Sequence, residues 1–384
     1  MKQLIHSHLQ SYIKKSDSYK AFTQNPHSPF TVEGLQGYPL SYAIHTYQKY
    51  LNKRIWVIAP TTEMAKELYQ DFSVIGSSVQ QLPTSGKKLY SKFEGSDNEY
   101  ELVSSFQKVH SSNNGIIIVP LRTFATPVPS KKMLEESEIT FALNDSFNPT
   151  LMSETLSQAG YYRSPSTTVP GEFSVHGEIF DFFPHNDNLA VRIHGGWDTI
   201  EKITLFDPIT QDMVKSVSKV TCNLLHEDKM GSYGYINDYM KGDDYFFFIS
   251  KERLLSSFNS LLIEAKALYR EAFLANPNSI KPDKILFDVP RFYHECKRST
   301  TLVDVKGQIE HAYSFDVDGP HSYFGNFVLL KEDLTSLFKN NYSVIIFAGS
   351  DIQKKRLASM LSIFPNLTIS DEEISGVFSI AREK

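Results

Sequence analysis

The chain has 384 residues, with 39 Lys and Arg against 44 Asp and Glu, and a formal net charge of −5 at pH 7. This length predicts about two to four domains. The two cysteines, Cys222 and Cys296, are too few for a disulfide framework or a multi-cysteine zinc site. The slight acidity argues against a dedicated nucleic-acid-binding protein, because such proteins usually carry a basic excess. Without an apolar run long enough to span a membrane or a signal peptide, we expect a cytoplasmic protein.

The first 120 residues predict a parallel α/β layer. The first twenty have the periodicity of a helix. Short apolar runs at 55–59 and 115–119 are typical of buried strands, and a helix over 63–72, capped by Thr61 or Thr62, follows the first of them. Continuous apolar strands that alternate with helices indicate a parallel sheet.

The pattern changes after residue 127. A short helix ends at Gly160, and apolar residues then alternate with polar ones along several segments. These segments are 173–175, 179–183, 189–193, 200–206 and 213–220. Turn residues separate them at intervals of about 8–12 positions, which predicts a compact antiparallel sheet.

A second α/β stretch follows. Residues 245–249 predict another buried strand, and Ser250 stands where it could cap a long helix over 251–274. The segment from residue 324 onwards predicts a small α/β unit, with a helix near 334–338, a strand at 344–347 and a helix over 351–363.

The stretch that begins at Gly34 has the outline of a phosphate-binding loop, G-x-x-x-x-G-K-[ST]. Gly34 and Ser41 stand at the required spacing, with Gly37 between them. Pro39 replaces the second glycine of the motif and removes a backbone N–H. Leu40 replaces the lysine, whose charge would neutralise phosphate. We therefore expect this degenerate loop not to bind ATP productively; an ordinary turn before a helix is the alternative interpretation.

Other catalytic and metal-binding signatures are missing from the sequence. It contains no G-x-S-x-G nucleophile elbow and no H-E-x-x-H zinc motif. The His-Glu-Cys triplet at 294–296 has no further ligands at useful spacing. The basic cluster at 354–356 is typical of a solvated helix face. We therefore expect neither catalytic residues nor metal ligands in this chain.

A dense motif runs from Gly160 to Gln211. It reads G-Y-Y-R, then P-G-E-F-S-V-H-G-E-I-F-D-F-F-P, then V-R-I-H-G-G-W-D-T-I-E-K-I-T-L-F-D-P-I-T-Q. The motif resembles the domain that the excision-repair helicase UvrB shares with the Mfd family of transcription-repair coupling factors. The decayed loop at Gly34, the segment 115–124 and the small α/β unit near the end agree with the coupling factors rather than with UvrB. The resemblance covers nearly the whole chain and is weak over 224–320.

The resemblance implies an α/β fold of several parts. A degenerate nucleotide-hydrolase-like parallel-sheet domain carries an inserted antiparallel α+β domain, similar to domain 2 of UvrB, and a small α/β domain follows. The corresponding segments are 1–127 for the first part of the parallel-sheet domain, 128–219 for the insert, 220–300 for the part that completes the α/β layer, and 315–384 for the small domain.

The resemblance also implies a role. In this family the inserted domain docks UvrA, the damage-recognition protein, by mimicking UvrB, and so recruits nucleotide excision repair to stalled RNA polymerase. Complete coupling factors continue into an RNA-polymerase-binding domain, an ATP- and magnesium-dependent DNA translocase and a regulatory domain. We therefore expect an amino-terminal portion that has no cofactor of its own and binds UvrA and the remaining domains, reaching RNA polymerase and duplex DNA only through those domains.

The residues that match the family motif are the docking candidates. They are Arg163, Glu172, Phe173, His176, Asp181, Phe183 and Arg192. Arginine beside aromatic residues suits a protein interface. His176 stands where the family has arginine, and imidazole is shorter and mostly neutral at pH 7. We therefore rank Arg163 and Arg192 above His176.

Strand parity divides part of this motif between core and surface. Phe180 and Phe182 share one parity along their strand, and Asp181 and Phe183 share the other. One of the two pairs is expected to lie in the core.

Two other functions stay open. An ATP-dependent, DNA-acting enzyme of the UvrB type requires a loop that binds ATP, which Pro39 and Leu40 disfavour. Direct DNA contact is a third possibility, and binding to phosphates would weaken steeply as salt is added.

Overall fold

The structure is a computed structural model. It describes residues 2–26, 29–84, 88–90, 97–184, 187–223, 233–304, 307, 311–315, 317–318, 323, 325–342, 344–348, 350–370 and 379–380. Within this part of the chain, no helix is both long enough and apolar enough to cross a membrane.

The helices and strands follow one another in three groups. The first group is α1 (Lys2–Lys15), α2 (Asp17–Gln24), β1 (Phe30–Glu33), α3 (Gly37–Leu51), β2 (Arg54–Ala59), α4 (Thr62–Ile75), β3 (Val79–Gln81), α5 (Asp97–Ser111), β4 (Gly115–Pro120) and α6 (Leu121–Ala125). The second is β5 (Val128–Pro129), α7 (Lys131–Ser137), β6 (Glu138–Ala142), α8 (Pro149–Gln158), β7 (Tyr162–Arg163), β8 (Glu172–His176), β9 (Ile179–Phe182), β10 (Ala190–Gly195), β11 (Ile200–Phe206), β12 (Met213–Val217) and β13 (Lys219–Asn223). The third is β14 (Tyr233–Gly234), a 3-10 turn (Ile236–Tyr239), β15 (Tyr245–Phe248), α9 (Lys251–Ala275), α10 (Pro282–Ile285), α11 (Val289–Glu295), β16 (Ser299–Val303), β17 (Tyr313–Ser314), β18 (Val317–Asp318), α12 (Phe327–Lys339), β19 (Ile345–Phe347), α13 (Asp351–Met360), β20 (Thr368–Ser370) and β21 (Ser379–Ile380).

The larger sheet has seven strands in the order β17-β1-β16-β15-β2-β4-β3. Its neighbouring strands pair in parallel throughout. The strands predicted at 55–59, 115–119 and 245–249 are confirmed as β2, β4 and β15. The sheet continues past residue 300, the expected limit of that segment, because β16 pairs with β1 and β15, and β17 extends the edge.

Side chains of the central strands are buried on both faces of this sheet. In β2, Trp56 and Ile58 pack into one core cluster, whereas Ile55 and Val57 pack into another. Successive residues of a strand point to opposite faces. Because helices cover both faces, every position of the strand after Arg54 is apolar, and the alternation seen in half-exposed strands is lost.

The second sheet has six strands in the order β12-β11-β10-β9-β8-β7. Its pairings are antiparallel, apart from the parallel pair β7 and β8. Its inner face packs with α8 into a separate apolar cluster that includes Leu156, Phe173, Phe180, Phe182 and Ile193. β6 and β13 pair with each other, so the chain enters and leaves this sheet side by side.

Several local predictions are wrong at the boundaries of elements. The first helix is broken, because Ser16 has extended backbone and accepts a hydrogen bond from Tyr19 N (3.2 Å), which starts α2. Ser250 does not cap α9: its backbone is left-handed (φ 51°) and its hydroxyl bonds to Asp304 instead. The strand expected over 213–220 is divided between β12 and β13, which pair in different sheets. The helix expected near 334–338 is the end of the longer α12.

An ion pair between Arg54 and Asp244 is buried at the amino ends of β2 and β15. The Nε and Nη2 groups of Arg54 donate to Asp244 Oδ1 at 2.9 Å and to Oδ2 at 2.6 Å, and Trp56 Nε1 donates to the same Oδ2 at 2.6 Å. The guanidinium also donates to the carbonyls of Val109 and Tyr239. Both carboxylate oxygens of Asp244 therefore accept hydrogen bonds from buried side chains and stabilise the fold.

We predict that Asp244→Ala lowers the free energy of unfolding by about 3–5 kcal/mol, because it leaves the Arg54 charge buried without its partner. The neighbouring Asp243→Ala is the matched control. Asp243 forms an exposed pair with Lys53 (3.4 Å), so its loss should cost about 1 kcal/mol or less. Urea unfolding of both variants measures the difference, and equal losses would contradict the prediction.

Candidate functional site

The outer face of the six-stranded sheet, opposite the core shared with α8, carries polar side chains in register. Its middle row, which crosses five strands, is Ser174, Asp181, Arg192, Thr204 and Ser216. A second row, next to the turns at 177–178 and 195–199, is His176, Ile179, His194 and Lys202. On the other side of the middle row, Tyr162 is in register with Glu172, and Phe206 with Ala190 and Met213. We call the second row, His176 to Lys202, the cationic row, after Lys202, which carries its positive charge at pH 7.

Arg192 lies at the centre of the outer face, where its guanidinium is held on several sides. Its Nε and Nη2 donate to the two carboxylate oxygens of Asp181, both at 2.8 Å, and Nη2 also donates to Gln211 Oε1 at 3.2 Å. Its Cζ lies 4.4 Å from the centroid of the Phe206 ring. Hydrogen bonding to Asp181 raises the pKa of Arg192 above its ordinary value. Arg192 is thus a charge already paired within the domain.

The loop before β8 joins the same network. Gln211 Nε2 donates to the Thr167 carbonyl at 3.1 Å, which links the turn after β11 to this loop. Glu172 accepts from the backbone N–H groups of Thr168 (2.7 Å) and Val169 (2.8 Å). Burial raises the pKa of Glu172, but these hydrogen bonds outweigh it and hold the pKa below its ordinary value. Glu172 therefore serves to fix the loop.

The cationic row contributes accessible side chains to the outer face, as do Tyr162, Met213 and Ser216. His176 and Lys202 are exposed, and His194 is half-buried. His176 Nε2 lies 2.8 Å from the Pro165 carbonyl, which orients the imidazole. Burial, followed by the charges of Lys202 and Arg192, lowers the pKa of His194, so its imidazole is neutral at pH 7. The row offers donors to an acidic or hydrogen-bonding partner surface.

The structure divides the seven docking candidates between core and surface. Glu172, Phe173, Asp181 and Phe183 are buried. We expected one of the two pairs at 180–183 to lie in the core, but both are buried. Phe180 and Phe182 lie in the main apolar cluster of the domain. Phe183 lies in a small cluster with Phe206, and Asp181 is paired with Arg192. Direct contact with a partner is open to Arg163, His176 and the exposed part of Arg192.

Arg163 and Arg192 do not share a face. Arg163 is in register with Phe173, a core residue, whereas Arg192 is in register with Asp181 and so lies on the outer face. Sequence reasoning also missed His194 and Lys202. The alternation of residues along each strand predicts that both side chains lie on the outer face. Only the pairing register of the strands shows that they lie in one row with His176.

The degenerate loop keeps the strand–turn–helix outline of a phosphate-binding loop. β1 ends at Glu33, and α3 begins at Gly37. Gly34 and Gly37 both have left-handed backbone, with φ of 77° and 58°. Glycine adopts this conformation without strain, so the two glycines are explained by the turn itself.

The loop positions that would carry phosphate chemistry are buried. Pro39 and Leu40 lie inside the first turn of α3, and Leu40 joins an apolar core cluster. Ser41 Oγ donates to the buried carboxylate of Asp71 at 2.9 Å. At the other end of the loop, the Glu33 carboxylate accepts from Gly307 N at 2.7 Å. The charges next to the loop are therefore negative.

Among the residues that the structure describes, no group of three or more His, Cys, Asp and Glu side chains could hold a metal ion.

Comparisons with known proteins match both the insert and the wider chain. Residues 139–223 match the family model of the UvrB interaction domain. The chain is 25% identical to the transcription-repair-coupling factor of Borreliella burgdorferi over 92% of its own length and 35% of that protein. It is 22% identical to that of Bacillus subtilis over 55% of the chain and 18% of that protein. UvrABC system protein B of Thermotoga maritima is 21% identical over 50% of the chain and 31% of that protein. The chain thus spans about a third of the Borreliella relative.

We predict that Arg192→Ala lowers the free energy of unfolding by about 1.5–3 kcal/mol, the range for hydrogen bonds to charged groups. The change leaves the buried Asp181 carboxylate without its counter-charge and frees Gln211. Lys202→Ala, on the same face but exposed, should cost about 0.5 kcal/mol or less. Thermal and urea unfolding compare the two variants, and an Arg192→Ala protein as stable as the wild type would contradict the assigned role.

Proposed function

We propose that this chain, which carries a UvrB interaction domain and resembles transcription-repair-coupling factors over 92% of its length, is a non-catalytic module that docks UvrA. In this proposal it recruits nucleotide excision repair to RNA polymerase stalled at a lesion. We assign no contact with RNA polymerase or DNA to this chain.

The outer face of the six-stranded sheet is the observation that carries the proposal. This face lies within the segment that matches the UvrB interaction domain. Its middle row is polar, and the Arg192–Asp181 pair holds two of its strands together. Preorganised surfaces bind with a smaller loss of side-chain entropy. The exposed donors of His176 and Lys202 then give the face its preference for an acidic partner surface.

The degenerate loop supports a docking role rather than an ATP-dependent one. A triphosphate is bound mainly by neutralising its charges. Here the position of the motif lysine is the buried Leu40, and the hydroxyl of Ser41 is already donated to Asp71. A phosphate placed at Gly34 would also approach the carboxylate of Glu33.

We predict that the double variant His176→Glu, Lys202→Glu binds UvrA from the same organism about tenfold more weakly or worse, equivalent to about 1.4 kcal/mol. The change reverses the charge of the cationic row without touching the buried network. Arg163→Ala is the control, because it removes a charge from the other side of the sheet and should change Kd by about threefold at most. Surface plasmon resonance with immobilised UvrA gives both constants.

The outcomes of this experiment separate three interpretations. No binding by the wild-type chain would overturn the docking function itself. If Arg163→Ala abolishes binding and the double variant still binds, the interface lies at the β7 edge of the sheet and not on the cationic row.

We predict that Mg-ATP does not bind the chain at sub-millimolar concentration, because the loop lacks a cation and an available hydroxyl. Isothermal titration calorimetry tests this directly. Clear micromolar binding would favour the alternative, an ATP-dependent enzyme of the UvrB type.

A further inference from the structure

The two tryptophans of the chain lie in opposite environments. Trp56 is fully buried, and Trp197 is 100% exposed at the tip of the β10–β11 hairpin. Leaving an indole in water forgoes one of the largest gains from burial that a side chain can make. Tryptophan is also among the residues that most often dominate protein interfaces. The exposed Trp197 is therefore a candidate contact residue for a partner protein.

The hairpin tip holds the backbone of Trp197 in a defined place. Gly195 N donates to the Glu178 carbonyl, and Gly196 N donates to the Thr199 carbonyl, each at 2.8 Å. Phe147 N donates to the Asp198 carbonyl, also at 2.8 Å. These bonds tie both sides of the tip to neighbouring segments.

Close packing explains the glycine at 195. A Cβ on Gly195 would lie 2.6 Å from the buried Phe147 ring, whereas one on Gly196 would meet the exposed Glu201 side chain, which can move away. The turn is thus packed against the Phe147 ring, and the indole projects from it.

A cavity of about 310 Å³ opens beside the indole. Its walls include Trp197, Phe147, Pro149 and Glu178, with the glycines of the two turns between them. Glu178 of this lining is exposed, as are Asp198 and Glu201, which follow Trp197 in the chain. An aromatic face beside carboxylates favours a cation, because the ring quadrupole and the negative charges attract it together.

We propose that this cavity receives a Lys or Arg side chain of UvrA, held between the Trp197 indole and the Glu178 carboxylate. The inference rests on the proposed function and adds a second contact to it. The hairpin tip follows directly from His194 of the cationic row, and Glu178 directly precedes Ile179 of the same row. A partner that covers the row also reaches the cavity, and it meets a basic strip followed by an acidic tip. This order of charges gives the interface a direction.

The test measures binding of UvrA to the wild-type chain and to four variants. We expect Trp197→Ala to raise Kd about tenfold or more, and Trp197→Phe, which keeps a ring, to raise it less. Glu178→Gln should raise Kd about threefold, and Glu178→Lys more than that, because a like charge is then introduced. Ile209→Ala is the matched control: Ile209 is 87% exposed, but it lies at the other end of the sheet, and its Kd should not change.

A spectroscopic measurement checks that Trp197 itself enters the interface. The chain labelled with 5-fluorotryptophan gives two ¹⁹F resonances, and Trp197→Phe identifies the exposed one. Addition of unlabelled UvrA should shift this resonance and leave that of Trp56 in place.

The outcomes distinguish this inference from the docking function. If the wild type binds UvrA and Trp197→Ala binds equally well with no ¹⁹F shift, the inference is overturned and docking stands. If Glu178→Lys binds as well as the wild type, the assignment of a basic side chain is overturned. If the wild type does not bind UvrA, both proposals fail.

Discussion

The pairing register of the six-stranded sheet is the constraint on which the candidate site depends. Each strand sends alternate residues to the apolar core and to the outer face, and a shift by one residue would exchange the two sets. The observed register places Arg192 opposite Asp181, so the strongest charge on the face is neutralised within the domain. The pair stabilises the surface within the domain. In the proposed docking function, the neighbouring row makes the contacts with the partner, so binding and folding would use different residues of the same motif.

In the parallel sheet, the loop after β1 keeps the outline of a phosphate-binding loop. The strand, turn and helix remain, with two glycines in left-handed conformation. The groups that would serve a phosphate are replaced by groups that serve the fold: Leu40 in the core and Ser41 bonded to Asp71. Such a layer offers a scaffold for the inserted sheet, whose two connecting strands, β6 and β13, leave it side by side.

Much of the fold follows from local patterns, and the errors have identifiable causes. Continuous apolar runs identified β2, β4 and β15, because strands buried on both faces usually consist of such runs. β1 and β16 were missed, since Thr31, Thr300 and Thr301 make them polar and their burial comes from neighbouring strands. Ser250 was misassigned because its hydroxyl has a distant partner, Asp304, that competes with the helix end.

The sequence by itself determined the two kinds of sheet, the residues that depart from the phosphate-loop motif at Pro39 and Leu40, and the family resemblance, since each depends on residue types at fixed spacing. The sequence also identified Arg192 and Asp181 as docking candidates, but it did not predict that they pair with each other. Only the tertiary structure decided that Glu172, Phe173, Asp181 and Phe183 are buried. It also decided that Arg163 and Arg192 lie on opposite faces and that His194 and Lys202 lie in one row with His176. The physical reason is that exposure and neighbourhood are properties of strand pairing, which joins residues far apart in the chain.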